Sequence, residues 1–310
     1  MSLLHIHSLG ICTSTWPSIG QLRKAIAMGQ DRASTGPAYP GEPAAGREQS
    51  DDAAMVESLD AVSRLAIGAI TEAWQGASLD QGIVPTGRIA LLLYSAWGQV
   101  DSTVTYLESM WGNGGRFASP RHFTRSVHSS PTSLAAIHFG IHGPCQTLVH
   151  DAWPVCSVLE QADDLLSVGR ADAVIVCWAD QPSAVATDLC RRAAEDLHRA
   201  QFARFAGGDS HGGAVAAVVT INAKLPGAEF GVEVGPVAAN KKSVGAGAVV
   251  EQGAYPTDGA LHWAAAGVAW SLAAARAEGK ALPVAADYWR ESGHHGQMRE
   301  VRFCRAAGRE

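Results

Sequence analysis

Apolar positions along the chain follow two periods that alternate. Leu3 to Ile11 reads as a strand closing at Gly10. Arg88 to Tyr94 (RIALLLY) is an unbroken apolar run between turn residues, the mark of a strand buried on both faces. Between them Leu59, Val62, Leu65, Ala66, Ala69, Ile70 and Ala73 recur at helical spacing, with Ser58 as the candidate N-cap. A second helical stretch runs from about Asp101 to Trp111 and stops at Gly112, Gly114 and Gly115. The middle of the chain repeats the alternation. It reads as a helix over Ser133–Phe139, a Gly143-Pro144 turn, a strand over Cys145–His150, a helix over Cys156–Ser167 and a buried strand over Ala173–Trp178. A glycine-rich loop then leads into an Ala/Val strand within Gly207–Ile221. Such alternation predicts an α/β layered fold with a mostly parallel central sheet. The second half is plainer, with a short strand near 231–237, a loop, a helix from about His262 to Ala277, and a polar, arginine-containing tail from Asp287. Residues 28–52, rich in Gly, Pro, Ala and Ser, read as a long loop acting as a spacer.

Composition narrows the function classes. Of 310 residues, 47% are apolar and only 17% charged, below the usual quarter. Ample apolar surface at low charge is expected of an obligate oligomer, part of whose exterior is interior in the assembly. A net charge of −6 without a basic run excludes nucleic acid as the expected partner. The start, MSLLHIHSLG, lacks the positive n-region and apolar h-region of a signal peptide, and no stretch of apolar residues is long enough for a membrane span. The expectation is a cytoplasmic protein whose cysteines are reduced. Those cysteines are scattered without a C-x-x-C pair, so neither a metal site nor any other cofactor is expected.

One stretch carries a family resemblance: SPRHFTRSVHSSPTSLAAIHFGIHGPCQTLVHDAWPVCSVLEQADDLLSVGRADAVIVCWAD. Its layout resembles the N-terminal half of β-ketoacyl synthases. The matching features are SVHS at Ser126–Ser129, the Gly143-Pro144 turn, the strand running on toward a nucleophile elbow, the helix after it, and the G-R-A-D-A-V-I-V lead at Gly169–Val176. GGDSHGGAVAAVVTI resembles the glycine loop that this family places before a core strand, and together these features cover most of residues 55–221. The resemblance implies a thiolase-like layered αβαβα fold with a truncated C-terminal half. Residues 1–222 form the ketosynthase-like half and 223–310 a shortened second half, the two making one structural unit.

The departures from the family pattern decide the chemistry. The catalytic cysteine of that family lies eight residues beyond the Pro of the Gly-Pro turn, in a small-residue elbow whose helix dipole lowers the thiol pKa. Here Ala152 holds that position, followed by Trp153 and Pro154. A methyl group cannot attack a thioester. Nothing matches the family's first histidine loop, and aligning ALHWAAAG (Ala260–Gly267) with the second puts Leu261 at the histidine position. The expectation is a chain with no catalytic residues of its own.

This pattern resembles the chain length factor, the degenerate partner of a ketosynthase in type II polyketide synthases, in the form found with polyene-forming, highly reducing systems. The resemblance implies heterodimerisation with a ketosynthase subunit and contact with an acyl carrier protein bearing the growing chain on phosphopantetheine. It implies a dimer interface along Thr147, Leu148, Val149, His150 and Asp151. It also implies that the helix Gly98–Trp111 closes the partner's substrate tunnel through Val100, Thr103 and Leu107, which share one helical face by their spacing. Ordinary packing is the other reading of those three. Two alternatives stay open: an active acyltransferase or ketosynthase variant using Cys156 or Ser157, and a homodimeric scaffold that binds carrier protein. His128 is expected to be structural, and the His294-His295 pair solvated. The triad letters Asp209-Ser210-His211 are adjacent in sequence and cannot form a triad.

Overall fold

The apolar runs form strands where the sequence places them: β1 (Leu4–Thr13), β2 (Ile89–Ser95), β3 (Cys145–Val149), β4 (Ala173–Asp180), β5 (Gly213–Thr220) and β6 (Phe230–Pro236). The computed structural model describes residues 2–13, 18–21, 59–112, 114–115, 118–149, 154–181, 183–186, 188, 192, 212–221, 225, 230–236, 248–251, 286–292 and 298–305. Three further strands follow: β7 (Ala248–Glu251), β8 (Ala286–Ser292) and β9 (Met298–Arg305). The last two overturn the polar tail expected from Asp287. They pair with each other, and β9 pairs with β6. The expected loop over 28–52 and helix over 262–277 lie outside the described residues.

The strands make one 9-stranded sheet in the order β3-β2-β4-β5-β1-β6-β9-β8-β7. Only β3–β2, β2–β4 and β7–β8 are parallel, and the remaining pairs are antiparallel. The mostly parallel sheet expected from the sequence is therefore a mixed one. A buried strand reads as the same apolar run in either direction, because direction is set by the connection and not by burial.

Helices cover both faces. α1 (Ala61–Gly76), α2 (Val100–Gly112), α3 (Pro120–Ser126), α4 (Ser130–Phe139) and α5 (Pro154–Ser167) follow in chain order. Alternate residues of β2, β4 and β5 divide between two apolar clusters. Leu92, Val176 and Ala217 pack with Val155, Val158 and Leu159 of α5. Leu91, Leu93, Ile175 and Val218 pack with Leu65, Ile70 and Ala73 of α1 and with Ala135 of α4. Each buried Leu, Ile or Val stabilises the fold by roughly 1.5–3 kcal/mol. The described residues thus show helix on sheet on helix. α1 is capped by Asp60, whose carboxylate accepts from Ser63 N at 2.9 Å; the Ser58 cap expected from sequence is superseded.

β1 fits between the layers through a register shift between Ile6 and Ser8. Leu4 and Ile6 before the shift join Leu9 and Ile11 after it in the same cluster, since one extra residue reverses which parity faces a given side. Ser8, Gly10 and Cys12 then meet α1. The Ser8 hydroxyl donates to Ala73 O, and Cys12 Sγ lies 2.8 Å from where a Cβ on Gly68 would stand.

Candidate functional site

The first part of the site is a free sheet edge. β3 hydrogen-bonds only to β2 in the sheet and has no strand on its other side among the described residues. Its residues grade from exposed at Cys145 and Gln146 to half-buried at Thr147, Leu148 and Val149. The Thr147 hydroxyl meets the Thr132 hydroxyl of α4 at 2.6 Å, and Leu148 packs against the core. The strand is entered through Gly143, where a Cβ would lie 2.2 Å from Ile89 O. Only glycine allows the chain to pass so close to β2, which is the physical content of the Gly-Pro turn. β3 ends at Val149 and α5 starts at Pro154, so Ala152 falls in the connection between them, with His150, Asp151 and Trp153, outside the described residues. Leu261 is outside them too.

The other candidate nucleophiles sit on described elements. Cys156 is fully buried in the core beside α5's other apolar residues, which withholds it from a thioester substrate. Ser157 on the same helix is half-buried. Burial also holds the Cys12 thiol near pKa 11, helped by Glu72, and pushes the Cys177 thiol far up. Both stay protonated at neutral pH and behave as small apolar side chains. Among the described residues no cluster of His, Cys, Asp and Glu could hold a metal ion.

The second part is a helical arm. None of the side chains of α2 or α3 is buried. Val100, Thr103 and Leu107 are all half-buried on α2. The Thr103 hydroxyl lies 2.8 Å from Gln99 O and 3.0 Å from Ser126 O, tying α2 to the end of α3. Tyr106 meets Phe123 edge-on with ring centroids 5.6 Å apart. Trp111, at 67% exposure, and Phe123, at 52%, leave aromatic surface open. α3 is silent in the sequence because a short helix with no buried side chain has no apolar period. Its Ser119-Pro120 start, with Ser119 Oγ accepting from His122 N, is the signal it does carry.

The third part, which sequence reasoning missed, is polar and lies at the root of α2. Asp180 ends the apolar strand β4 and is buried at 5% exposure. Its carboxylate accepts from Ser95 Oγ at 2.7 Å, Ala96 N at 3.0 Å and Trp97 N at 3.3 Å. Ser95 Oγ in turn accepts from Gly98 N at 2.9 Å. Gly98 has φ +57, and a Cβ there would stand 2.0 Å from His128 Nδ1, so the SVH motif packs directly on the backbone that starts α2. That gives His128 the structural role expected of it. Gln99 donates to Asp60 at 3.0 Å, and Ser183 Oγ donates to Asp101. Beside these groups opens a cavity of about 280 Å³ lined by Asp60, Gln99, Asp101, His122, Arg125 and Ser183. The signal for Asp180 was present: a charged residue continuing an all-apolar strand needs donors from its neighbours.

Burial raises the Asp180 carboxyl from 3.8 to about 6, against the lowering effect of its three donors. The folded state therefore holds its proton more tightly than the unfolded chain. The stability this contributes is fully present below pH 3.8 and lost as the pH rises to about 6, by roughly 3 kcal/mol in all. Chemical unfolding measured between pH 4 and 7 is expected to show this decline in the wild type relative to Asp180→Asn. Parallel pH profiles for the two proteins would contradict it.

By sequence the chain matches no family model and no curated protein. By structure it is similar to several solved proteins almost end to end. One is AntDE:AntF, a type II PKS acyl-carrier protein in complex with its ketosynthase bound to the hexaketide. The TM-score is 0.68 at 10% identity, over 98% of this chain and 99% of that one. Another is the ishigamide ketosynthase/chain length factor, with TM-score 0.64 and 14% identity over 98% and 99%. A third is the ketosynthase ApeO in complex with its chain length factor ApeC from Xenorhabdus doucetiae, with TM-score 0.56 and 14% identity over 97% and 99%. The fold is the thiolase-like α/β fold of ketosynthases, as the resemblance implied.

Proposed function

We propose that this chain is a chain length factor: a non-catalytic ketosynthase-fold subunit that pairs with an active ketosynthase and closes the end of its substrate tunnel. The observation that carries this reading is the α2–α3 arm. Two helices with no buried side chain, exposing Trp111 and Phe123, adjoin a sheet whose edge strand β3 has no partner on its outer side among the described residues. An isolated protein gains nothing from such a surface, and an obligate partner covers it. Solved neighbours include complexes of a ketosynthase with a chain length factor and with an acyl carrier protein, and the same two partners are proposed for this chain. On this reading Thr147, Leu148, Val149, His150 and Asp151 lie at the dimer interface. Val100, Thr103 and Leu107 face the tunnel end, where medium-sized side chains leave room for a slim polyene.

Ala152 in place of a nucleophile supports the absence of chemistry in this subunit. Full burial of Cys156 counts against the variant in which that thiol takes over. The test is co-expression with the ketosynthase encoded beside it, followed by size exclusion and exposure to acyl carrier protein charged with a radiolabelled acyl group. A one-to-one complex with label on the ketosynthase alone is expected. A well-behaved monomer of this chain, or label retained on it, would overturn the reading.

A further inference from the structure

α2 raises a mechanical question, because none of its side chains is fully buried and its aromatic contact, Tyr106 on Phe123, is with the equally unburied α3. Its polar ties gather instead at residues 95–103. Asp180 holds the turn before the helix through Ser95, Ala96 and Trp97. Gln99 reaches Asp60, the cap of α1; Asp101 takes the Ser183 hydroxyl; and Gln99 N points to His128 Nδ1 at 3.4 Å. Four parts of the fold thus converge on one end of one helix: the end of β4, the start of α1, the segment after β4 and the connection before α4.

We propose that this polar network, centred on the Asp180 carboxylate, is the positioning device that sets the tilt of α2 and through it the depth at which Leu107 stands. The proposal rests on reading α2 as the tunnel-closing helix. Geometry gives it leverage. Leu107 lies seven residues beyond Val100, about 10 Å along the axis, so a tilt of about 10° at the root displaces it by roughly 2 Å. That is comparable with the length of a two-carbon unit. The network suits the task because hydrogen bonds are directional where apolar contacts are not, and because a group buried as deeply as Asp180 cannot take a replacement donor from solvent. Asp180 touches no substrate on this reading. It acts through the turn at 95–98.

The isosteric variant Asp180→Asn tests this, since it puts an amide N–H against backbone N–H groups and removes one acceptor. The complex with the ketosynthase is used, and hydrogen exchange is followed by mass spectrometry on peptides from α2, β2 and β4. Exchange at least fivefold faster, confined to α2 and the turn before it, is expected, together with a broadened product-length distribution. Unchanged exchange in α2 would overturn the proposal. An equal rise across β2 and β4 would also overturn it, because a merely structural loss loosens the core as a whole. Ser95→Ala, which deletes the relay from Asp180 to Gly98 N, is expected to give the same local pattern and decides the matter if Asp180→Asn does not fold. Should exchange rise in α2 while neither Asp180→Asn nor Leu107→Trp alters product length, the network stands and the tunnel-closing reading falls.

Discussion

Gly10→Ala is expected to destabilise the protein by about 3 kcal/mol or more, a large effect for a single added methyl group. A Cβ at this position would stand 2.0 Å from Ala69 O and 2.7 Å from Ala73 N, both backbone atoms of α1. Neither can turn aside as a flexible side chain would, so β1 and α1 must separate. Their contact is held by more than that one close approach. The Ser8 hydroxyl donates to Ala73 O, and Ile11 N donates to Glu72 Oε2 at 2.9 Å. Moving the helix strains these bonds and opens the apolar cluster that α1 shares with β2, β4 and β5. Against a total stability of about 5–15 kcal/mol, such a loss lowers Tm by roughly 6–12 °C. Thermal unfolding followed by circular dichroism checks it; a Tm within about 2 °C of wild type would show that β1 and α1 have slack the structure does not display.

Much of the first half was legible in the sequence because its elements announce themselves by burial. RIALLLY and AVIVCW are strands buried on both faces, and α1 carries a clear helical period. Strand direction was not legible, since apolar content is blind to polarity of the chain. The shift between Ile6 and Ser8 was equally hidden: it exists to satisfy partners in β5 that lie more than 200 positions away. β8 and β9 were mistaken for a polar tail because ADYWRES and MREVRFCR carry charge among their apolar residues, with pairing to β6, to β7 and to each other to organise them.

The site divides along the same line. The end of α2 near Trp111 and the Gly143-Pro144 entry to β3 were readable, one from the glycines that follow it and the other as a motif. The network at the root of α2 was not, because Asp60, the segment holding Ser95 and Gln99, and the segment holding Asp180 and Ser183 are far apart in sequence. Only β4's placement beside β2 brings Asp180 under residues 95–97. His128 shows the intermediate case. It was visible as part of a motif, yet its reason, a ring against the backbone of Gly98, needed the fold.

Leu107→Trp carries the largest functional effect. The side chain is half-buried on a helix with no buried residue, so an indole here does not overpack this chain's own core. Surface substitutions usually cost no more than about 0.5 kcal/mol and overpacked core ones about 1–3 kcal/mol; at this half-buried position the subunit is expected to fold and pair as before. Leu107 shares its face with Val100 and with Thr103, whose hydroxyl reaches Ser126 O of α3, and on the proposed reading that face closes the tunnel. If α2 closes the tunnel as proposed, a rigid bicyclic side chain there excludes the last part of an extending hydrocarbon. The decisive measurement is the product-length distribution of the reconstituted pair, by mass spectrometry, with wild-type and Leu107→Trp subunits. Continued condensation to products shorter by at least one two-carbon unit is predicted. An intact Leu107→Trp complex that releases products of wild-type length would contradict a role for α2 in closing the tunnel.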